Sequence, residues 1–173
     1  MVGGRRMGVR ADDGAHAPIE VPAHGHFFAR DFRVQVHEHD LDVVRFRRER
    51  VVTPDDDFWD FDWAGASTSN DAAPLVVLFH GLEGSSASAY AQAFADFAAA
   101  RGLAFVVPHF RGCSGELNLA PRAYHSGDFH EIDWVLRRLA AEHPQRPLLA
   151  AGVSLGGTAL LRWAGEMGTQ AAT

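Results

Sequence analysis

The residues whose types and spacing could do chemistry gather at Gly152-Val153-Ser154-Leu155-Gly156. A serine hydroxyl becomes a useful nucleophile when a base takes its proton and N–H donors hold the oxyanion formed by attack on an acyl carbon. Glycines two positions before and after such a serine suit a tight strand-to-helix turn, where the two backbones pass too close for side chains. Gly157 extends that small-residue environment. The helix opening at Leu155 offers a free N–H and the positive end of its dipole to an oxyanion. This arrangement predicts acyl transfer through Ser154, with the Leu155 N–H as one oxyanion donor. The blander reading of the same residues is a glycine-rich turn with a plain N-cap serine.

A second group, His80-Gly81-Leu82-Glu83-Gly84, follows the apolar run Leu75 to Phe79. In a fold with a serine elbow of this kind, the loop after an earlier strand donates the other oxyanion N–H, and by position that donor is Leu82. Gly81 and Gly84 shape the loop, and His80 reads as a structural ring hydrogen-bonded within it. Glu83 reads as a solvated loop charge rather than a carboxylate facing substrate. A third group runs from Arg111 to Asn118 and contains Cys113, the single cysteine. With no helix start or base beside it, Cys113 reads as a small buried residue rather than a thiol nucleophile.

Tyr124-His125-Ser126-Gly127 leads into a helix that Ser126 or Asp128 can cap. His125 is not assigned as the base, because in serine-elbow enzymes the histidine follows the nucleophile in the chain. Ten histidines raise the question of a metal, and His16, His24, His26, His37 and His39 fall in the N-terminal part. His37-Glu38-His39 puts two imidazoles on one strand face, yet no third and fourth ligand stands at a recognised spacing. Neither a metal nor a cofactor is expected.

The elements that must position these residues follow a regular order after Pro74. Leu75 to Phe79, Leu103 to Val107 and Leu148 to Val153 are continuous apolar runs of the kind buried on both faces of a parallel sheet. Between them, Ser86 to Arg101 is an Ala-rich helix with Tyr90, Phe94, Phe97 and Ala98 on one face, stopped by Gly102. Phe129, Ile132, Leu136 and Leu139 mark an amphipathic helix, with Asp128 and Glu131 placed to form a capping box. Leu155 to Glu166 is helical. The alternation predicts an α/β layer sandwich around a mainly parallel sheet. Upstream, Phe32 to Val52 reads as edge strands and Phe58 to Trp63 as a strand, separated by the turn Thr53 to Asp57. Residues 1–30 read as a loosely ordered extension, and 31–173 as one domain.

Composition sets outer limits. The chain has 173 residues, 47% of them hydrophobic, enough for a real core in one domain or a piece of a larger one. Lys plus Arg is 16 against 22 Asp plus Glu, a formal net charge of −6, which gives no electrostatic reason to expect nucleic acid. The interleaved arginines Arg45, Arg47, Arg48 and Arg50 read as a solvated strand face. A single cysteine excludes an intrachain disulfide and fits a reducing compartment. No apolar signal region opens the chain, and no apolar run is long enough to span a bilayer, so a cytoplasmic protein without an integral membrane segment is expected.

Five motifs in order resemble the YheT-like branch of the α/β-hydrolase superfamily, also called AB hydrolase family 4. They are Asp57-Phe58-Trp59-Asp60-Phe61-Asp62-Trp63, His80-Gly81-Leu82-Glu83-Gly84-Ser85-Ser86, Arg111-Gly112-Cys113-Ser114-Gly115-Glu116, Tyr124-His125-Ser126-Gly127 and Gly152-Val153-Ser154-Leu155-Gly156-Gly157. The resemblance covers roughly residues 45 to 168. It implies an α/β-hydrolase fold and a serine hydrolase acting on carboxylic esters, with acylglycerol or other lipid esters as the substrate class in some members. Ser154 carries over as nucleophile, and Leu82 and Leu155 as oxyanion donors. The family places its acid and histidine on loops after two later strands. The tail Leu155 to Thr173 holds Glu166 and no histidine, so the triad Asp and His are not present in the chain. The competing expectations are a truncated or pseudo-enzyme product without its own catalysis, and an acyltransferase or thioesterase built on the same elbow. The sequence does not fix the oligomeric state.

Overall fold

The computed structural model describes residues 44–64 and 72–172. Within them five strands and three α-helices alternate: β1 (Phe46–Val52), β2 (Phe58–Ala64), β3 (Leu75–Phe79), α1 (Ala89–Ala100), β4 (Ala104–Pro108), α2 (Phe129–Glu142), β5 (Leu148–Gly152) and α3 (Leu155–Met167), closed by a 3₁₀ turn at Gly168–Ala172. The expected extension at 1–30, the first part of the Phe32 to Val52 strands and the N-terminal histidines lie outside the described residues.

The five strands form one sheet in the order β1-β2-β4-β3-β5. β3 pairs parallel with both β4 and β5, whereas β2 runs antiparallel to β1 and β4. The sheet is therefore mixed, its parallel part carrying the elbow and its antiparallel part built from the upstream strands.

Strand periodicity splits the core into two layers. Leu75, Val77 and Phe79 of β3, with Val106 of β4, face a cluster holding Ile132, Val135, Leu136 and Leu139 of α2 and Ala159, Leu160 and Trp163 of α3. Val76 and Leu78, with Phe105 and Val107, face the opposite cluster, formed with Ala91, Ala95 and Ala98 of α1. Successive strand residues point to opposite faces, so an uninterrupted apolar run is what a strand covered on both sides requires. The α2 stripe has the i, i+3, i+4, i+7 spacing of a helix lying on a sheet.

Several local expectations change. The buried stripe of α1 is Ala91, Gln92, Ala95 and Ala98 rather than its aromatic residues. Small side chains let the helix lie close to the sheet, while Phe97 turns outward against the Arg101 guanidinium. Gly102 does follow the helix with φ +66°. The Asp128–Glu131 capping box does not form, and α2 has no side-chain cap. Asp128 instead accepts from Arg122 and from the His125 N–H, and Glu131 accepts from Trp59 and Arg111. For Glu131, tertiary donors that are charged or buried outcompete a local amide.

β5 was expected to be buried on both faces, but Leu149, Ala150 and Gly152 are exposed. Among the described residues β5 is the edge of the sheet, paired only with β3. Arg48 and Arg50 are not simply solvated either. Cross-strand register sets them opposite Asp62 and Asp60, where each makes a two-pronged pair at 2.7 to 2.8 Å.

Candidate active site

The helix after β3 packs on one face of the sheet and the helix after β5 on the other. Adjacent parallel strands whose connections leave toward opposite faces open a crevice at their carboxyl ends. Phe79 and Gly152 are register partners at that edge, and the pairing extends one step further through Val153 N–H to Phe79 O at 3.0 Å. His80 to Gly84 and Ser154 are thereby brought together, although 70 residues separate His80 from the approach to the elbow at Ala150.

Ser154 has φ 51° and ψ −116°, a backbone conformation that L-residues rarely adopt, and its side chain is exposed. The geometry is possible because the surroundings are bare backbone. A Cβ on Gly152 would stand 2.6 Å from Gly157 N, and one on Gly156 would collide with the carbonyl oxygens of Phe79 and His80. Gly156 N–H donates to Val153 O and Thr158 N–H to Ser154 O, both at 3.0 Å, which locks the turn into the helix. Leu155 is the first residue of α3, so its N–H has no acceptor within the helix. Gly81 lies against the serine, its Cβ position 3.5 Å from Ser154 Cβ.

His80 is fully buried. Phe110 N–H donates to its Nε2 at 3.0 Å, which makes Nε2 the acceptor and leaves Nδ1–H to donate to Gly81 O at 2.7 Å. Burial, joined by the nearby His109, pushes its pKa down to about 4 despite the favourable Gly81 carbonyl. The ring is a neutral spacer, held edge-on to Phe110 at 4.9 Å, with neither nitrogen free to accept a proton from Ser154. Glu83 is exposed, with φ +52°. Cys113 is half-buried, and burial pushes its thiol up although a hydrogen bond from Tyr124 opposes the shift. His125 is also engaged. Its Nδ1 accepts the Gly127 N–H at 3.0 Å and its Nε2 lies 3.4 Å from Asp128. Glu166 pairs along its own helix with Arg162 at 3.0 Å. Ser154 Oγ makes no hydrogen bond with any described residue.

Behind the crevice lies a network that the sequence motifs contain without revealing its pairings. Asp62, 3% exposed, accepts from Arg48, His109 and Ser86. Burial alone would raise its pKa, but these donors hold it well below the usual carboxylate range. Asp57, 1% exposed, accepts from Arg111 Nη1 at 2.6 Å and from the N–H groups of Phe58, Leu119 and Ala120. Arg111 also reaches Glu131 at 2.9 Å. These pairs pin the loop after β4 to β2 and α2. The visible signal was aspartates at alternate positions of an aromatic strand, facing arginines at alternate positions of its neighbour. A concavity of about 290 Å³ beside Arg111, Arg122 and Trp134 shares no residue with the elbow, and its arginines are already paired. Among the described residues no group of three or more His, Cys, Asp or Glu side chains is gathered for a metal.

The alpha/beta hydrolase fold family matches residues 74–168, more than half of the chain. The putative esterase YheT of Escherichia coli is 46% identical over 112 residues, 65% of this chain and 33% of that protein. Phospholipase ABHD3 of Bos taurus is 34% identical over 131 residues, 73% of this chain and 32% of that protein. The chain thus spans about a third of the length of the curated relatives it matches. Among solved structures, an esterase of Pyrococcus furiosus superposes with a TM-score of 0.54 at 18% identity, over 69% of this chain and 46% of the other. At that identity the likeness is one of fold.

Proposed function

The chain belongs to the α/β-hydrolase fold family, and from that premise we propose that it carries the nucleophilic half of a carboxylic-ester hydrolase with Ser154 as the attacking residue. The observation that carries this reading is the backbone of Ser154. A non-glycine residue held at φ 51° and ψ −116°, exposed at the mouth of a crevice, is strain kept at one point by surroundings built around it. A plain N-cap serine needs no such conformation, since caps sit in the extended region.

In the proposed reaction Ser154 Oγ bonds to the acyl carbon and its proton passes to a base. The N–H groups of Leu82 and Leu155 hold the oxyanion. Collapse of the tetrahedral intermediate breaks the ester C–O bond, the alcohol leaves with a proton, and water then releases the acid from the acyl-serine. The charge-orienting acid and the histidine base are assigned to parts of the relatives' length that this chain does not match. The names of its relatives, an esterase and a phospholipase, support small-molecule or lipid esters as substrates. Thioesters and alcohol acceptors fit the same elbow.

A fluorophosphonate probe should label Ser154 of the full-length protein, mapped by mass spectrometry, and Ser154→Ala should abolish both labelling and hydrolysis of a chromogenic ester. Folded full-length protein that stays unlabelled would overturn the reading. Hydrolysis by the 173-residue chain alone would instead show that a base outside the assigned order serves the serine.

A further inference from the structure

The turn Gly81 to Gly84 presents four backbone N–H groups, and the structure accounts for three. Gly84 N–H closes the turn on Gly81 O at 3.0 Å. Gly81 N–H donates to the Tyr90 hydroxyl at 3.0 Å. Glu83 N–H donates to the Tyr124 hydroxyl at 2.8 Å. Leu82 N–H is left, with no acceptor among the described residues. Two side chains from separate elements thus take the donors on either side of one free N–H, beside Ser154.

Both tyrosines are themselves fixed. Tyr124 stacks on Phe110 at 5.2 Å with the rings 13° from parallel, and its hydroxyl is also hydrogen-bonded to Cys113. Phe110 in turn holds the buried His80. Tyr90 sits in the first turn of α1 with its hydroxyl against Gly84, where a Cβ would collide with it. The turn needs such support. Glu83, at φ +52°, occupies a left-handed conformation that is strained for a residue with a Cβ, so without outside contacts the segment would relax. The Tyr124 bond falls on Glu83 itself.

We propose that Tyr90 and Tyr124 are positioning residues that clamp the Gly81 to Gly84 turn, so that the Leu82 N–H alone remains available to the oxyanion on the substrate of Ser154. The proposal rests on the reading of Ser154 as nucleophile. Neither phenol touches the reacting atoms; each acts through the backbone of its turn. Because only the transition state carries the full oxyanion, the clamp serves kcat rather than ground-state affinity.

The test uses Tyr90→Phe and Tyr124→Phe in the full-length protein, substitutions that remove a hydroxyl and keep the ring. Loss of an entire oxyanion donor costs on the order of 100-fold or more in kcat. Loosening one is expected to lower kcat about 10-fold per variant, with KM within about twofold of wild type, and to slow fluorophosphonate labelling of Ser154 in parallel. Amide hydrogen exchange should accelerate at Gly81 only in Tyr90→Phe and at Glu83 only in Tyr124→Phe. Wild-type kcat in both variants, or a raised KM at unchanged kcat, would overturn the clamp while wild-type labelling keeps the nucleophile reading. Unchanged exchange at both amides would overturn it as well. A wild-type protein that does not label at Ser154 would instead remove the nucleophile reading, and the clamp's role with it.

Discussion

Two regions of this molecule hold the chain in demanding conformations by opposite means. At the carboxyl ends of β3 and β5 the backbone is held by what is missing: Gly152, Gly156 and Gly157 leave room for strand and helix to meet around Ser154. Where the loop after β4 meets β1, β2 and α2, the backbone is held by what is present. Arg48, Arg50 and Arg111 are paired with Asp62, Asp60 and Asp57, and those aspartates are almost fully buried. The first device is steric and indifferent to pH or salt. The second is electrostatic, and depends on every partner remaining ionised. The proposed role of Ser154 gains from the first, because bare backbone holds the turn without side chains crowding the hydroxyl; a long loop without regular structure gains from the second, because buried charges admit few alternative partners.

Substitutions can break each side separately. The largest effect is expected for Gly156→Ala, whose Cβ meets the carbonyl oxygens of Phe79 and His80, atoms of a central strand end that cannot move aside. A loss of about 5 kcal/mol in chemical denaturation, or failure to fold, is expected; a stable variant would show the elbow to be looser than described. Next comes Arg111→Met, which strands Asp57 and Glu131 and should cost about 4 kcal/mol. A cost below about 1 kcal/mol would mean that the backbone N–H donors to Asp57 hold the loop alone.

Acid should reach both regions, through His80 beside the elbow and through the buried aspartates behind it. His80 is held neutral with a folded pKa of about 4 against an ordinary value of 6.5. The unfolded chain therefore binds a proton that the folded chain refuses between those values. Its stabilising contribution is complete above pH 6.5, shrinks as pH falls toward 4, and amounts to roughly 3 kcal/mol. The depressed Asp57 and Asp62 add losses of the same sign below the ordinary carboxylate range. Denaturation midpoints taken from pH 7 to pH 4 check this, and a flat profile would remove the buried neutral ring from the account. The smallest effect is expected for Arg162→Ala. Its pair with Glu166 lies along an exposed helix face, and its removal should change stability by no more than about 0.5 kcal/mol.

The steric region was legible in the sequence and the electrostatic one was not. The Gly-x-Ser-x-Gly spacing, the apolar runs before it and the helical periodicity after it are local patterns, and the elbow followed from them. The expected capping role of Glu131 and the solvated reading of Arg48 and Arg50 failed for a shared reason: each assigned to a near neighbour, or to water, a group that tertiary structure gives to a distant partner. Arg111 lies 54 residues from Asp57, and no local rule chooses between it and the other arginines. Tyr90 and Tyr124 were visible as an aromatic on a helix and a letter in a motif; their hydroxyls acquired a task only when two separate elements closed on one turn.

By itself the sequence determined the order of strands and helices, the place of the strand-to-helix turn at Ser154 and the small residues around it, because turn chemistry and side-chain period act over a few residues. Tertiary structure alone decided that β5 lies exposed at the edge of the described sheet, which carboxylate each arginine serves, and which N–H of the turn beside Ser154 stays free. Those outcomes depend on contacts between segments tens of residues apart, where burial selects among many chemically equivalent partners.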